Sequence, residues 1–290
     1  MTSHHHLTRL TPLIAVITVA LSVATSLPHS ARAEPGTTLR ETFALSPAPS
    51  RDEVSSTGLS LTVALDWQRP SGWFFGATAG ATWTTLEGPA LGESSALDPS
   101  NLAFRGGHRF TADGFELGLG LHLAAPLALF WSDNIEDKRT SEHNHLTASA
   151  SRGQRDPWLW QMNTIPVGLR VDLELRLSDE LDLDLVLRAE PTALISLNSR
   201  PTRLAVASSL ELRAGWDPLE VELGWSHLVS TLALENLDHD QHAAWLGLGL
   251  DLGEHQVGLT ATLNLDGPWG VATGEAKPTW GLALHASHRL

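Results

Sequence analysis

The sequence predicts an all-β chain folded as a transmembrane antiparallel up-and-down β-barrel, with twelve strands and ten as the alternative. Three observations predict it. The chain opens with an export leader, its apolar residues recur at every second position from residue 57 onward, and the links between alternating segments are short and long by turns.

The leader comes first. Arg9 is followed by an apolar run from Leu13 to Leu27 broken only by Thr and Ser, and then by Ala31-Arg32-Ala33 before Glu34. That is the layout of a Sec signal peptide cut after Ala33. The apolar run is shorter than the roughly 20 residues a helical span requires. Residues 1–33 are therefore expected to be removed, and His4, His5 and His6 with them, leaving 34–290 as a single barrel domain.

Composition narrows the classes. Asp and Glu number 33 against 19 Lys and Arg, a net charge of -14, so nucleic acid is excluded as a partner by repulsion. Cysteine is absent, which removes disulfides, thiolate metal sites and cysteine nucleophiles together. No motif calls for a cofactor.

A first strand is expected over 37–46, with Leu39, Phe43 and Leu45 on its apolar side and Glu41 misplaced among them. It is needed to bring eleven further segments to an even number. In 57–67, Leu59, Leu61, Val63, Leu65 and Trp67 oppose Ser60, Thr62, Ala64 and Asp66. A strand at 73–84 follows, then a long loop over 85–110, a strand at 111–123 with Gly118 and Gly120 on its polar face, and a short one at 127–131. After a second long loop over 132–157 come 160–177, 181–197, 204–216, 219–235, 242–252, 255–266 and 278–290. The short links fall at 68–72, 124–126, 178–180, 217–218 and 253–254, the remaining long ones at 198–203, 236–241 and 267–277.

Leu, Glu and Arg favour helices, yet strict alternation wound at 100° per residue would spread leucine around the whole cylinder. Strand is the consistent reading. A soluble β-sandwich also alternates and stays open as an alternative. Membrane location is favoured by charged and small residues on the polar faces, and by Trp67, Trp73, Trp83, Trp131, Trp216 and Trp280 at or near strand ends, where indole settles at a lipid interface.

Charge on the polar face concentrates on four neighbouring segments: Arg170, Asp172, Glu174 and Arg176, then Asp182, Asp184, Arg188 and Glu190, then Glu211 and Arg213, then Glu220 and Glu222. A hairpin register would set Arg176 opposite Asp184, Asp172 opposite Arg188 and Arg170 opposite Glu190, a self-neutralising lumen lattice. Glu220 and Glu222 remain as excess acid, so a pore would mildly prefer cations.

Histidine offers two loop clusters, His143 with His145, and His239 with His242 beside Asp238 and Asp240. Neither completes a ligand set by spacing, so no metal site is expected. For catalysis the candidates are His122 and the Ser226-His227 pair, but neighbours in a strand point to opposite faces, and no catalytic residue is assigned. A barrel hydrolase of lipase or protease type is the alternative function.

With the leader, the tryptophans, the link alternation and the final segment Trp280 to Leu290 in place, the chain resembles bacterial outer-membrane β-barrel proteins over nearly its whole length. The resemblance implies an integral outer-membrane protein, either a narrow porin-like channel for small solutes or a structural component, with membrane lipid and the barrel-insertion machinery as partners. In that class the last strand usually ends in an aromatic residue. Here Leu282, Leu284 and Ala286 keep the spacing, His288 interrupts it and Leu290 stands last.

Overall fold

The computed structural model describes residues 36–51, 54–88, 92–129, 140–141, 144–145, 147–149, 152, 155–197, 201–230, 240–265 and 279–290. The leader, Trp131, His143, Asp238 and His239 lie outside them. The strands are β1 (Thr37–Arg51), β2 (Val54–Gln68), β3 (Trp73–Gly88), β4 (Gly92–Pro99), β5 (Leu102–Ala112) and β6 (Phe115–Ala125). A 3-10 turn at Pro157–Trp160 precedes β7 (Thr164–Ser178), β8 (Leu183–Ser196), β9 (Arg203–Trp216), β10 (Leu219–Ser230), β11 (Asp240–Asp251), β12 (His255–Asn264) and β13 (Thr279–Arg289).

Every neighbouring pair is antiparallel, β1 pairs with β13, and β2 pairs with β3, so the sheet closes on itself. β4 and β5 occupy one place in the ring, because β4 pairs with the far half of β3 and β5 with the near half. The result is a closed barrel of 12 strands.

One strand of that ring was not visible as a strand. Residues 85–110, expected as a loop, contain the end of β3, all of β4 and most of β5. The register against β3 slips by one residue between Ala81↔Pro99 and Thr78↔Ala103. At the break Ser100 N–H donates to Gly80 O (2.9 Å), whereas Asn101 N–H leaves the ladder for Leu159 O (2.8 Å). Asp98 and Arg105 both reach the interior although their numbers differ in parity, and a period-2 reading fails across such a bulge.

Conversely, the described residues of the strand expected at 127–131, Leu127 to Leu129, lie outside the sheet. The β5–β6 turn falls at Asp113-Gly114, inside the expected strand 111–123, with Gly114 at φ 82°. Residues 124–126 are consequently not a short turn but the point where the chain leaves the ring.

The faces are those of an inverted globule. Leu121 is 63 % exposed, Leu284 58 % and Leu223 55 %, all pointing away from the axis, while Thr62 on the inner side is 3 % exposed. A sandwich buries its leucines between sheets. Here they coat the outside of a closed ring, which overturns the sandwich and gives the lipid-facing band of a transmembrane barrel. Trp73 and Trp216 stand exposed at one rim, Trp225 and Trp280 towards the other. The links at the rim of Trp73 and Trp216 run two to four residues, and the start of β1 and the end of β13 lie there too; the long links lie at the other rim, where the two-residue β1–β2 link and the three-residue β3–β4 link depart from the expected alternation.

Candidate functional site: a plugged lumen

Residues 132–157 were expected as an outer loop, but the described part of this segment is inside the barrel. Asn101, fully buried, fastens both its ends: its Oδ1 accepts from Leu127 N–H (3.1 Å) and Ala128 N–H (3.0 Å), and its Nδ2 donates to Trp158 O (3.1 Å) and Gln161 O (2.7 Å). Asn163 N–H closes the neck on Ala128 O at 3.0 Å.

Between these ends the described residues of 140–149 are helical. Buried Asn144 donates through Nδ2 to Asp98 Oδ2 (2.6 Å) and Thr82 O (2.9 Å), and its Oδ1 accepts from the hydroxyls of Thr82 (2.8 Å) and Thr84 (2.6 Å). Such saturation is what a buried amide requires. Thr147 lies against Gly58, where a Cβ would come within 2.3 Å of Thr147 Cγ2, so only glycine lets plug and wall approach this closely.

His145, placed in a loop by the sequence, is 2 % exposed, and neither ring nitrogen has a hydrogen-bond partner. Burial pushes its pKa down to about 4 against a partial upward pull from Asp98, so the ring is neutral at pH 7.

Further along, Arg152 bonds the Thr62 hydroxyl (3.1 Å) and Asp156 (2.7 Å), and Arg155 reaches Glu222 (3.3 Å) while its guanidinium lies 5.1 Å from the Trp245 ring centroid. Burial works against the Asp156 carboxylate, but the charge and hydrogen bond of Arg152, with Arg105 and Arg155 beyond, hold its pKa below the ordinary range. Trp158 packs on Leu194, Ala205, Ala207 and Leu228, stacks on His122 at 5.7 Å, and donates its indole N–H to Glu190 (2.7 Å). Leu159 and Trp160 join Ala148 and Ala103 in a second apolar knot.

On the short-turn side of this plug lies a cavity of about 530 Å³ whose lining carries eight arginines and eight carboxylates. The candidate lattice lies largely on its wall. Arg176 is 2.6 Å from Asp184, Arg188 is 2.7 Å from Asp172, and Arg170 is 3.1 Å from Glu190 and 2.6 Å from Asp172. Arg176 also contacts Asp182 at the turn, and Arg213 contacts Glu211 and, more distantly, Glu174 (4.0 Å).

The expected acid excess is reduced by the plug, because Arg155 pairs with Glu222; from the wall, the Trp245 indole N–H donates to Glu222 and Gln256 to Glu220 (2.5 Å). Two further wall pairs went unnoticed in the sequence, Arg105 with Asp66 (2.5 Å) and Arg109 with Glu116 (2.9 Å). Both involve β5, the strand concealed by its bulge. The plug had a readable signal: Pro157-Trp158-Leu159-Trp160 is too apolar for a solvated loop.

The hydrolase candidates do not assemble. Ser226 faces inward and is 3 % exposed, whereas His227 faces outward. His122 Nε2 pairs with the Thr192 hydroxyl (2.9 Å), but its Nδ1 has no acid to orient it.

No protein-family model and no curated protein matches the sequence. Solved structures do share the fold. An outer membrane channel from Pseudomonas putida F1 superposes with a TM-score of 0.57 at 15 % identity, covering 90 % of this chain and 98 % of its own. The NanC porin gives 0.51 at 8 % identity over 88 % and 100 % of the two chains. The KdgM porin gives 0.50 at 6 % identity over 87 % and 99 %. Closure, the inverted faces and these superpositions together give the chain the fold of bacterial outer-membrane β-barrels.

Proposed function

We propose that the chain is a narrow porin-like channel of the bacterial outer membrane for small polar solutes, held shut at rest by its own plug. The observation that carries this reading is the cavity of about 530 Å³, lined by ionised groups inside a barrel with a leucine exterior. A purely structural barrel gains nothing from keeping water-filled, charged space at its axis, since buried charge is costly unless it is paired or hydrated. Beside its two small apolar knots the plug is held by hydrogen bonds and ion pairs, which exchange with water more readily than a packed apolar core does. With as many arginines as carboxylates on its lining, the passage sorts solutes by size more than by sign.

On this reading residues 1–33 are the export leader, membrane lipid surrounds the leucine band, and β13 is presented to the barrel-insertion machinery. Single-channel recording in planar bilayers tests the proposal, with the unmodified chain and an Asn101→Ala variant compared at equal protein. Rare openings in the first and frequent ones in the second are expected. Silence in both, with the barrel shown to be folded and inserted, refutes the channel.

A further inference from the structure

Beyond the lumen, three metal-binding side chains converge on the outward face at the long-link rim. β10 and β11 pair so that His227 stands directly opposite His242, and Asp240 lies two residues before His242 on the same face. One ligand atom from each residue falls within 4.8 Å of the other two. The imidazoles lie nearly parallel, 4.6 Å between centroids, and His227 Nε2 is already 2.7 Å from Asp240 Oδ1. Trp225, one pair further into the band, contacts His242 at 5.2 Å and screens the cluster from one side.

We propose that His227, Asp240 and His242 bind one divalent cation of the zinc class. Two imidazoles and a carboxylate are the donor set that such borderline ions prefer, whereas calcium and magnesium ask for oxygen alone. The ion takes the place of the proton between His227 Nε2 and Asp240 Oδ1, which moves to Nδ1 of the same ring or passes to the solvent, and His242 swings a nitrogen onto it. Solvent completes a four-coordinate shell. The backbone of the cluster is already fixed by the β10–β11 ladder, which runs to the Val229↔Asp240 pair, so binding orders side chains only. The ion then clamps β10 to β11 at the end of that ladder.

A surface His–Asp pair with a stacked neighbour would need no ion, and titration separates the two. The full chain is used with His4→Ser, His5→Ser, His6→Ser and His29→Ser, so that the four leader imidazoles do not compete. Refolded in detergent, it is titrated calorimetrically with zinc, and with magnesium in parallel.

One zinc per chain is expected in this background, with no magnesium binding. Adding His227→Gln, Asp240→Asn or His242→Gln singly is expected to weaken zinc at least tenfold. His255→Gln, at the exposed His255–His288 contact of the opposite rim, is expected to leave it unchanged. Gel migration of unheated samples verifies that each variant is a closed barrel. An isotherm unchanged by all three rim substitutions, or abolished by His255→Gln, overturns the site.

Discussion

Asn101 holds Trp158: its side-chain Nδ2 donates to the Trp158 carbonyl at 3.1 Å, while the Oδ1 of the same amide accepts from Leu127 and Ala128 at the other end of the plug. One side chain at the bulge of the barrel wall thus ties down both necks of a segment more than 30 residues long. Asn101→Ala removes these bonds and leaves buried backbone groups unsatisfied, at about 1–3 kcal/mol for each group that finds no water. The unheated barrel should therefore unfold at lower temperature in gel-shift assays. Its conductance should rise as well.

Plug docking at Gly58 gives a second expectation. A Gly58→Val side chain must displace Thr147, since even a Cβ meets its Cγ2 at 2.3 Å. Arg152 and Arg155, shielded inside the parent barrel, should then become trypsin sites while the strands stay intact. Mass spectrometry of the fragments checks this, and a resistant plug in a folded Gly58→Val barrel would contradict the docking.

Selectivity follows from the balance of the lining. Arg155→Ala deletes one positive charge and leaves Glu222 without its counter-ion, turning a neutral lining acidic. Reversal potentials measured across a salt gradient should shift towards cation preference by tens of millivolts at low ionic strength and less at high, because salt screens the wall charge.

Acid should loosen the plug. His145 titrates at about 4 when docked, against an ordinary 6.5. Once undocked, its ring binds a proton that the docked ring refuses throughout that window. Docking free energy is therefore complete above pH 6.5 and is lost as pH falls towards 4, by about 1.4 kcal/mol per unit. Open probability should climb on acidification from pH 7 to 5. His145→Leu, which cannot take up the proton, should flatten that climb.

The lipid band is tested at Leu223, 55 % exposed and part-way along β10. Leu223→Arg should cost about 2–4 kcal/mol of stability in a bilayer if the position lies near the midplane. Denaturant titration in vesicles measures it. In detergent micelles, which deform around a charge, the loss should be smaller.

Alternation along the sequence determined that these segments are strands, which side of each meets lipid, and which charges can meet across a hairpin. That information is local: a strand has period 2, and the numbers of paired residues follow from a short turn, as Arg176 and Asp184 illustrate across β7 and β8. Only the tertiary structure decided what fills the barrel. A ring of 12 strands encloses more space than its own side chains occupy, so a segment from elsewhere enters, and where it lies depends on the closed wall around it. Asn101 and Gly58 acquire their roles from that contact. So does the bulge at Ser100-Asn101, which breaks the alternation because Asn101 N–H bonds the plug instead of the neighbouring strand. His227, Asp240 and His242 likewise meet only because β10 and β11 pair in this register, a relation that no spacing along the chain contains.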